Sequence, residues 1–123
     1  MYEISKDFHF SASHVLDGLP DGHPCGRLHG HNFIVRLHLA AKELDEVGFV
    51  QDYGELKNFQ RWLDERFDHQ HLNDRVAFNP TSENMARYLY RKAHASLGLH
   101  KVVAVSWSET PKTWATYAPK ENA

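Results

Sequence analysis

Apolar and polar positions alternate from Tyr2 to His14. Ile4, Phe8, Phe10, Ala12 and His14 share one parity, and Glu3, Ser5, Asp7, Ser11 and Ser13 share the other. Successive side chains of a strand point to opposite faces, so this spacing predicts a strand with one buried face. The next stretch, 17–26, has no apolar period and is dense in Gly, Pro and Asp, which predicts an ordered surface loop with Cys25 near its end. His29, His31, Phe33, Val35, Leu37 and Leu39 then alternate with Gly30, Asn32, Arg36 and His38. They predict a second long strand whose apolar face begins with two histidines, with Ile34 as an apolar exception on the outer face.

A turn over Asp45 to Gly48 leads to Asp52, which stands three residues before Glu55 in a capping-box arrangement. Leu56, Phe59, Leu63 and Phe67 follow at helical spacing, with Lys57, Arg61, Glu65 and Arg66 on the opposite side. A polar break from Asp68 to Pro80 ends at Thr81, a good cap for a second helix with Ala86, Leu89, Tyr90, Ala93 and Leu97 on its buried stripe and Gly98 as its stop. Two β-rich runs, Lys101 to Glu109 and Thr113 to Ala118, flank Thr110-Pro-Lys and predict a hairpin. The order ββααββ predicts an α+β fold, a four-stranded antiparallel sheet with two helices on one face. One domain over 1–118 and a loose tail over 119–123 are expected.

Length and charge narrow the functions. A chain of 123 residues holds one ordinary core and therefore one principal site. No apolar run approaches the roughly 18 residues of a membrane span. Glu3, Lys6 and Asp7 stand where a secretory signal would be apolar, so a soluble cytoplasmic protein is expected. A formal charge of −2 gives no broad basic field, which argues against nucleic acid and for a small-molecule partner. The single cysteine, Cys25, excludes an internal disulfide and any four-cysteine zinc module.

Chemistry concentrates in Cys25-Gly-Arg-Leu-His29-Gly-His31 and in His14, at the end of the preceding strand. His29 and His31 project from one face, where a paired neighbour brings His14 within reach. Three neutral imidazoles leave one tetrahedral position open, the pattern of a catalytic zinc. Partly buried strand histidines are the ordinary alternative for any one of them, and three inward-facing positions together favour ligation. Cys25 lies four residues from a candidate ligand, where a nearby Zn²⁺ would stabilise the thiolate; it is a candidate reactive thiol, or else a fourth ligand that closes the site. Asp68 and His69 pair a carboxylate with an imidazole, with His71 as a competing histidine. Glu109 continues the parity of Val103, Val105 and Trp107, which places a carboxylate on an apolar face where a ligand with paired N–H donors satisfies it. A strand-end glutamate reaching solvent is the alternative.

The set Phe10-Ser-Ala-Ser-His14, Cys25-x3-His29-Gly-His31, Phe67-Asp68-His69, Pro80-Thr-Ser-Glu83 and Glu109-Thr110 resembles the 6-pyruvoyltetrahydropterin synthase family over nearly the whole chain. The short Gly-Arg-Leu spacer between Cys25 and His29 is similar to the branch that forms 6-carboxytetrahydropterin in queuosine biosynthesis; pyruvoyl-forming relatives typically have a longer one. The resemblance implies the tunnelling fold, in which ββααββ subunits join their sheets into a barrel and stack as a homo-oligomer, commonly a hexamer. It implies 7,8-dihydroneopterin triphosphate as substrate, with release of triphosphate and acetaldehyde. It further implies zinc on His14, His29 and His31, Cys25 as proton acceptor, Asp68 with His69 as relay, and Glu109 gripping the pterin ring. Arg27 and the basic residues of the first helix are the candidates for the triphosphate. A 6-pyruvoyl product, a non-catalytic zinc or pterin-binding module, and a generic zinc hydrolase are the competing expectations.

Overall fold

The computed structural model describes residues 1–119. The two alternating segments form long strands, β1 (Tyr2–His14) and β2 (His29–Ala41), paired antiparallel in unbroken register from Tyr2↔Ala41 to His14↔His29. Between them the loop closes with a single 3-10 turn at Pro24–Gly26. Helix α1 (Lys57–Arg66) starts later than its cap suggests. The Asp52 carboxylate does accept from the Gly54 N–H (2.8 Å), but it caps a 3-10 turn over Tyr53–Leu56 that leads into α1. Leu56, Phe59, Leu63 and Phe67 are all fully buried, as their spacing requires.

Two elements lie in the break that the sequence left irregular. β3 (Gln70–His71) adds to the free side of β1 in parallel, and α2 (Leu72–Arg75) is one turn anchored by buried Leu72. The sheet therefore has five strands, in the order β3-β1-β2-β4-β5, rather than the four antiparallel strands expected. Two residues are too few to show a period of two. What makes β3 is backbone pairing, which the His69 N–H begins by donating to Ser11 O (2.6 Å).

Helix α3 (Ser82–Ala95) is capped by Thr81, whose hydroxyl accepts from the Asn84 N–H (3.2 Å). Its buried residues are Met85, Ala86, Leu89 and Ala93, with Tyr90 partly buried, and Gly98 beyond it takes φ +65°. The chain ends in the hairpin β4 (Val102–Thr110) and β5 (Thr113–Tyr117), turned at Pro111 and Lys112 by the Thr110↔Thr113 pair. Both long helices cover the face that carries Phe8, Phe10, Phe33, Val35 and Trp107. Phe8 meets Phe59 edge-on at 5.0 Å, and Phe10 meets Phe67 at 5.9 Å. Parity in β4 holds from Val105 to Glu109 but not at Val103. The register slips between His38↔Ala104 and Leu39↔Val102, so this bulge sends Val102 into the core and leaves Val103 exposed. Of the expected tail, residues 120–123 lie outside the described residues.

Candidate metal centre and active site

Cross-strand register assembles three histidines at the end of the core face. His14 faces His29 directly, and Ala12 faces His31, so His31 lies diagonal to His14 on the same face. One nitrogen from each of His14, His29 and His31 lies within 4.8 Å of the others, the only such His, Cys, Asp or Glu group among the described residues. The rings meet edge to face, with centroids 4.5 to 5.3 Å apart.

Their hydrogen bonds fix which nitrogens are free. His14 Nδ1 lies 3.1 Å from Pro80 O, and His29 Nδ1 lies 2.6 Å from Arg27 O. A carbonyl only accepts, so each Nδ1 carries the proton and each Nε2 is left as a lone pair. Yet His14 Nε2 and His29 Nε2 stand 2.9 Å apart. Two lone pairs at that distance repel, and His31 Nε2 beside them is buried with no hydrogen-bond partner. A cation at the centre of the three nitrogens removes both penalties. Burial, the largest effect, pushes His14 and His31 below the usual histidine range, which keeps them in the neutral form that ligates. The residues thus fit a metal held by three imidazoles, two of them oriented by backbone carbonyls.

Glu109 reaches the same place. Its Oε1 lies 3.9 Å from His14 Nε2 and its Oε2 lies 3.7 Å from His31 Nε2, with the side chain about one-fifth exposed. Ser82, the first residue of α3, donates its hydroxyl to Glu109 Oε1 (3.2 Å). The carboxylate is therefore held beside the three nitrogens with acceptor capacity to spare.

Asp68 and His69 form the expected pair. His69 Nδ1 donates to Asp68 Oδ2 (2.9 Å), while Asp68 Oδ1 accepts from the Ser11 N–H (3.0 Å). The Ser11 bond, followed by His69, holds the Asp68 carboxyl below its usual range, so the dyad keeps an ionised orienting group. His69 takes φ +57°, a left-handed conformation held by its own bond to Ser11 O. Its ring is exposed and borders a groove of about 530 Å³ lined by Ser11, Ser13, Gly30 and Asn32 and also by Ala12 and His31. Ser11, Ser13, Gly30 and Asn32 have the parity opposite to His14, His29 and His31, so the dyad borders the polar side of the β1–β2 ribbon; of the three histidines only His31 also lines this groove. His71 is committed elsewhere, to Ser13 Oγ at 2.9 Å.

Cys25 is a partly exposed free thiol on the 3-10 turn. It lies outside the three-nitrogen cluster, so the closed four-ligand arrangement is not formed. Its carbonyl accepts from the Leu16 N–H (3.0 Å), which ties the loop back to the chain just after His14. Here the structure shows two residues that the sequence reading missed. Asn73 bonds both the N–H (2.9 Å) and the carbonyl (2.8 Å) of Val15, and Asn79 does the same for Asp17 (2.9 and 3.1 Å). Each carboxamide supplies the two bonds that a neighbouring strand would. Asparagine in a polar break is an ordinary turn former, so no pattern marks this clamp. Two hydrogen bonds of about 0.5–1.5 kcal/mol each hold every clamped residue. Asn79→Ala should therefore speed amide exchange at Asp17 on the order of tenfold, and unchanged exchange there would refute the clamp.

Comparison with known proteins agrees with this geometry. The family model described as 6-pyruvoyl tetrahydropterin synthase matches residues 3–120. The chain is 33% identical to a 6-carboxy-5,6,7,8-tetrahydropterin synthase of Bacillus subtilis, over 98% of this chain and 87% of that protein. It is 36% identical to the protein of the same name from Synechocystis, over 83% and 84% respectively. The solved structure of Caenorhabditis elegans 6-pyruvoyl tetrahydropterin synthase superposes with a TM-score of 0.82 at 29% identity, covering 97% of this chain and 96% of that one. With its five-stranded sheet, its two long helices on one face and a match along nearly its whole length, this chain belongs to the 6-pyruvoyl tetrahydropterin synthase family of pterin enzymes.

Proposed function

We propose that the protein is a zinc-dependent 6-carboxytetrahydropterin synthase, a lyase that converts 7,8-dihydroneopterin triphosphate and one water to 6-carboxy-5,6,7,8-tetrahydropterin, acetaldehyde and triphosphate. The observation that carries this reading is the convergence of three free imidazole nitrogens and the Glu109 carboxylate at one end of the sheet. The carboxy name of these relatives, and this chain's own short Cys25–His29 spacer, support the product. The whole of 1–118 acts as one domain, in the cytoplasm and in the queuosine pathway; among the described residues no helix is long and apolar enough to cross a membrane.

The residues divide the work by position. His14, His29 and His31 hold zinc, which when bound supplies Lewis acidity toward the oxygens of the substrate side chain. Glu109 accepts hydrogen bonds from the amino and amide N–H edge of the pterin and fixes the ring. Cys25 takes a proton from a side-chain carbon, and His69, its Nδ1 committed to Asp68, returns one through Nε2. Moving protons between carbons redistributes oxidation level with no nicotinamide or flavin. Because the dyad borders the polar side of the ribbon while His14 and His29 lie outside that groove, we assign the function to a homo-oligomer in which His69 of one copy serves the site of another. The open edges at β3 and β5 offer backbone groups for such joining.

Purified zinc-loaded protein incubated with 7,8-dihydroneopterin triphosphate should give 6-carboxytetrahydropterin by mass, with acetaldehyde in equal amount. A 6-pyruvoyl product would move the chain to the activity for which the C. elegans protein is named, and no product would leave a binding module. Glu109→Gln tests the ring contact by replacing an acceptor oxygen with a donor NH₂ at nearly constant size. Bonds to a charged group contribute about 1.5–3 kcal/mol, so kcat/KM should fall by at least roughly tenfold while metal content stays constant. Full efficiency in that variant would reduce Glu109 to a solvated strand end.

A further inference from the structure

A second cavity, of about 370 Å³, lies where the end of α1, the single turn α2 and the outer side of α3 meet. Arg66, Arg75, Arg87 and Arg91 all line it, together with Asn84 and Tyr88, and no carboxylate does. The nearest acidic residues in sequence, Glu65, Asp74 and Glu83, are exposed. Among the described residues, the ion pairs include none of these arginines; Arg36 with Asp7 is the only arginine pair.

The guanidinium groups are arranged rather than scattered. Arg66 lies over the rings of Trp62, Phe67 and Tyr88 at 5.9 to 6.0 Å, and donates to Arg75 O at 3.3 Å. Arg75 in turn donates its Nε to Arg66 O (2.8 Å). The two side chains are thus fixed by each other's backbone. Arg66 Nε is buried without a hydrogen-bond partner, an uncommon state for a charged group. Arg87 and Arg91 stand one helical turn apart, where like charges repel. A cavity with four cations, no counter-charge and an unpaired buried donor is incomplete without an anion.

We infer that this cavity is an anion site for a phosphate or short polyphosphate group, held by the guanidinium forks of Arg66, Arg75, Arg87 and Arg91. Guanidinium donors suit phosphate oxygens in bidentate pairs, and the fixed pair Arg66 and Arg75 needs no reordering to bind. The group can come from the phosphorylated arm of the enzyme's own substrate or from a free polyphosphate anion. The chemistry of recognition is the same for both. None of these residues touches the histidine cluster or its carboxylate, so the inference stands whether or not the proposed pterin reaction does.

Calorimetry with inorganic tripolyphosphate and the zinc-loaded protein tests it. Arg87 and Arg91 are exposed on α3, so Arg87→Ala combined with Arg91→Ala should leave the thermal melt in place. That double variant should bind tripolyphosphate at least about tenfold more weakly, since two charge-assisted contacts are lost. The corresponding double Lys variant should recover part of the affinity, and Lys42→Ala, an exposed change outside the cavity and outside α1, should have no effect. Any tripolyphosphate held by the metal is common to all of these proteins and cancels in the comparison. Weaker binding with a raised KM for the triphosphate substrate assigns the cavity to the substrate's phosphates. Weaker binding with an unchanged KM assigns it to a free anion. Equal affinity in the double Ala variant and the parent overturns the site.

Discussion

Cys25→Ala protein will keep its metal and bind pterin, and will turn over about 10²–10⁴-fold more slowly than the parent, the range for loss of a general acid or base. The scaffold gives this variant little reason to unfold. Cys25 is partly exposed, and the bonds that fix its loop run through its backbone and through Leu16 rather than through sulfur. His69→Ala should show a similar loss. Its ring is exposed and its backbone bond to Ser11 survives the change, although the left-handed φ of 57° is somewhat less tolerant of Ala. His71→Ala should be mild, because His71 is engaged with Ser13 Oγ. Coexpression of the two slow variants separates the assigned arrangement from a single-chain one. If His69 of one copy serves the Cys25 site of another, mixed oligomers contain some sites with both wild-type groups and regain part of the activity. Slow turnover in the mixture, equal to that of either parent variant, would place both groups in one chain. An unchanged rate for Cys25→Ala alone would remove it from the reaction.

Much of this arrangement was legible in the residues, because strand parity and register carry side chains to one face. His14, His29 and His31 share parity with the core residues Phe10 and Phe33, so any antiparallel pairing that buries the phenylalanines also gathers the histidines. Glu109 was legible for the same reason, through Trp107. The bulge at Val103 was not, since it arises from how β4 meets β2 rather than from any local pattern. The strand β3 and the asparagine clamps share that character. They depend on backbone groups of β1 and the segment after it, far away in sequence, and polar residues that bond to backbone leave no periodic trace. Parity also could not tell that Asp68 and His69 would border the polar face of the sheet, because the chain there turns through a left-handed residue.

His31→Ala will strip the site of its metal, and with it the catalysis proposed here, while the chain stays folded. Removing one of three ligands must cost more affinity than the about 10–100-fold typical of losing an outer-shell partner. The two imidazoles left, His14 and His29, cannot hold an ion alone against water. Folding does not depend on the site to the same degree. The core beneath it is built from Phe8, Phe10, Phe33, Phe59, Phe67 and Trp107, each at most 4% exposed, and His31 itself is only partly buried. In the metal-free protein His31 Nε2 is a buried nitrogen with no hydrogen-bond partner, so truncating that ring removes a penalty as well as a ligand. The expected result is therefore less than about 0.1 equivalent of zinc per chain by elemental analysis against about one for the parent, with an unfolding transition close to that of the metal-free parent. His14→Ala is the harsher test of folding, because His14 is fully buried and bonded to Pro80 O, just ahead of the α3 cap. Retention of a full equivalent of metal in His31→Ala would sink the three-histidine centre. Unfolding of every ligand variant would make the ion a structural one, and the open coordination position that the proposed chemistry needs would lose its support.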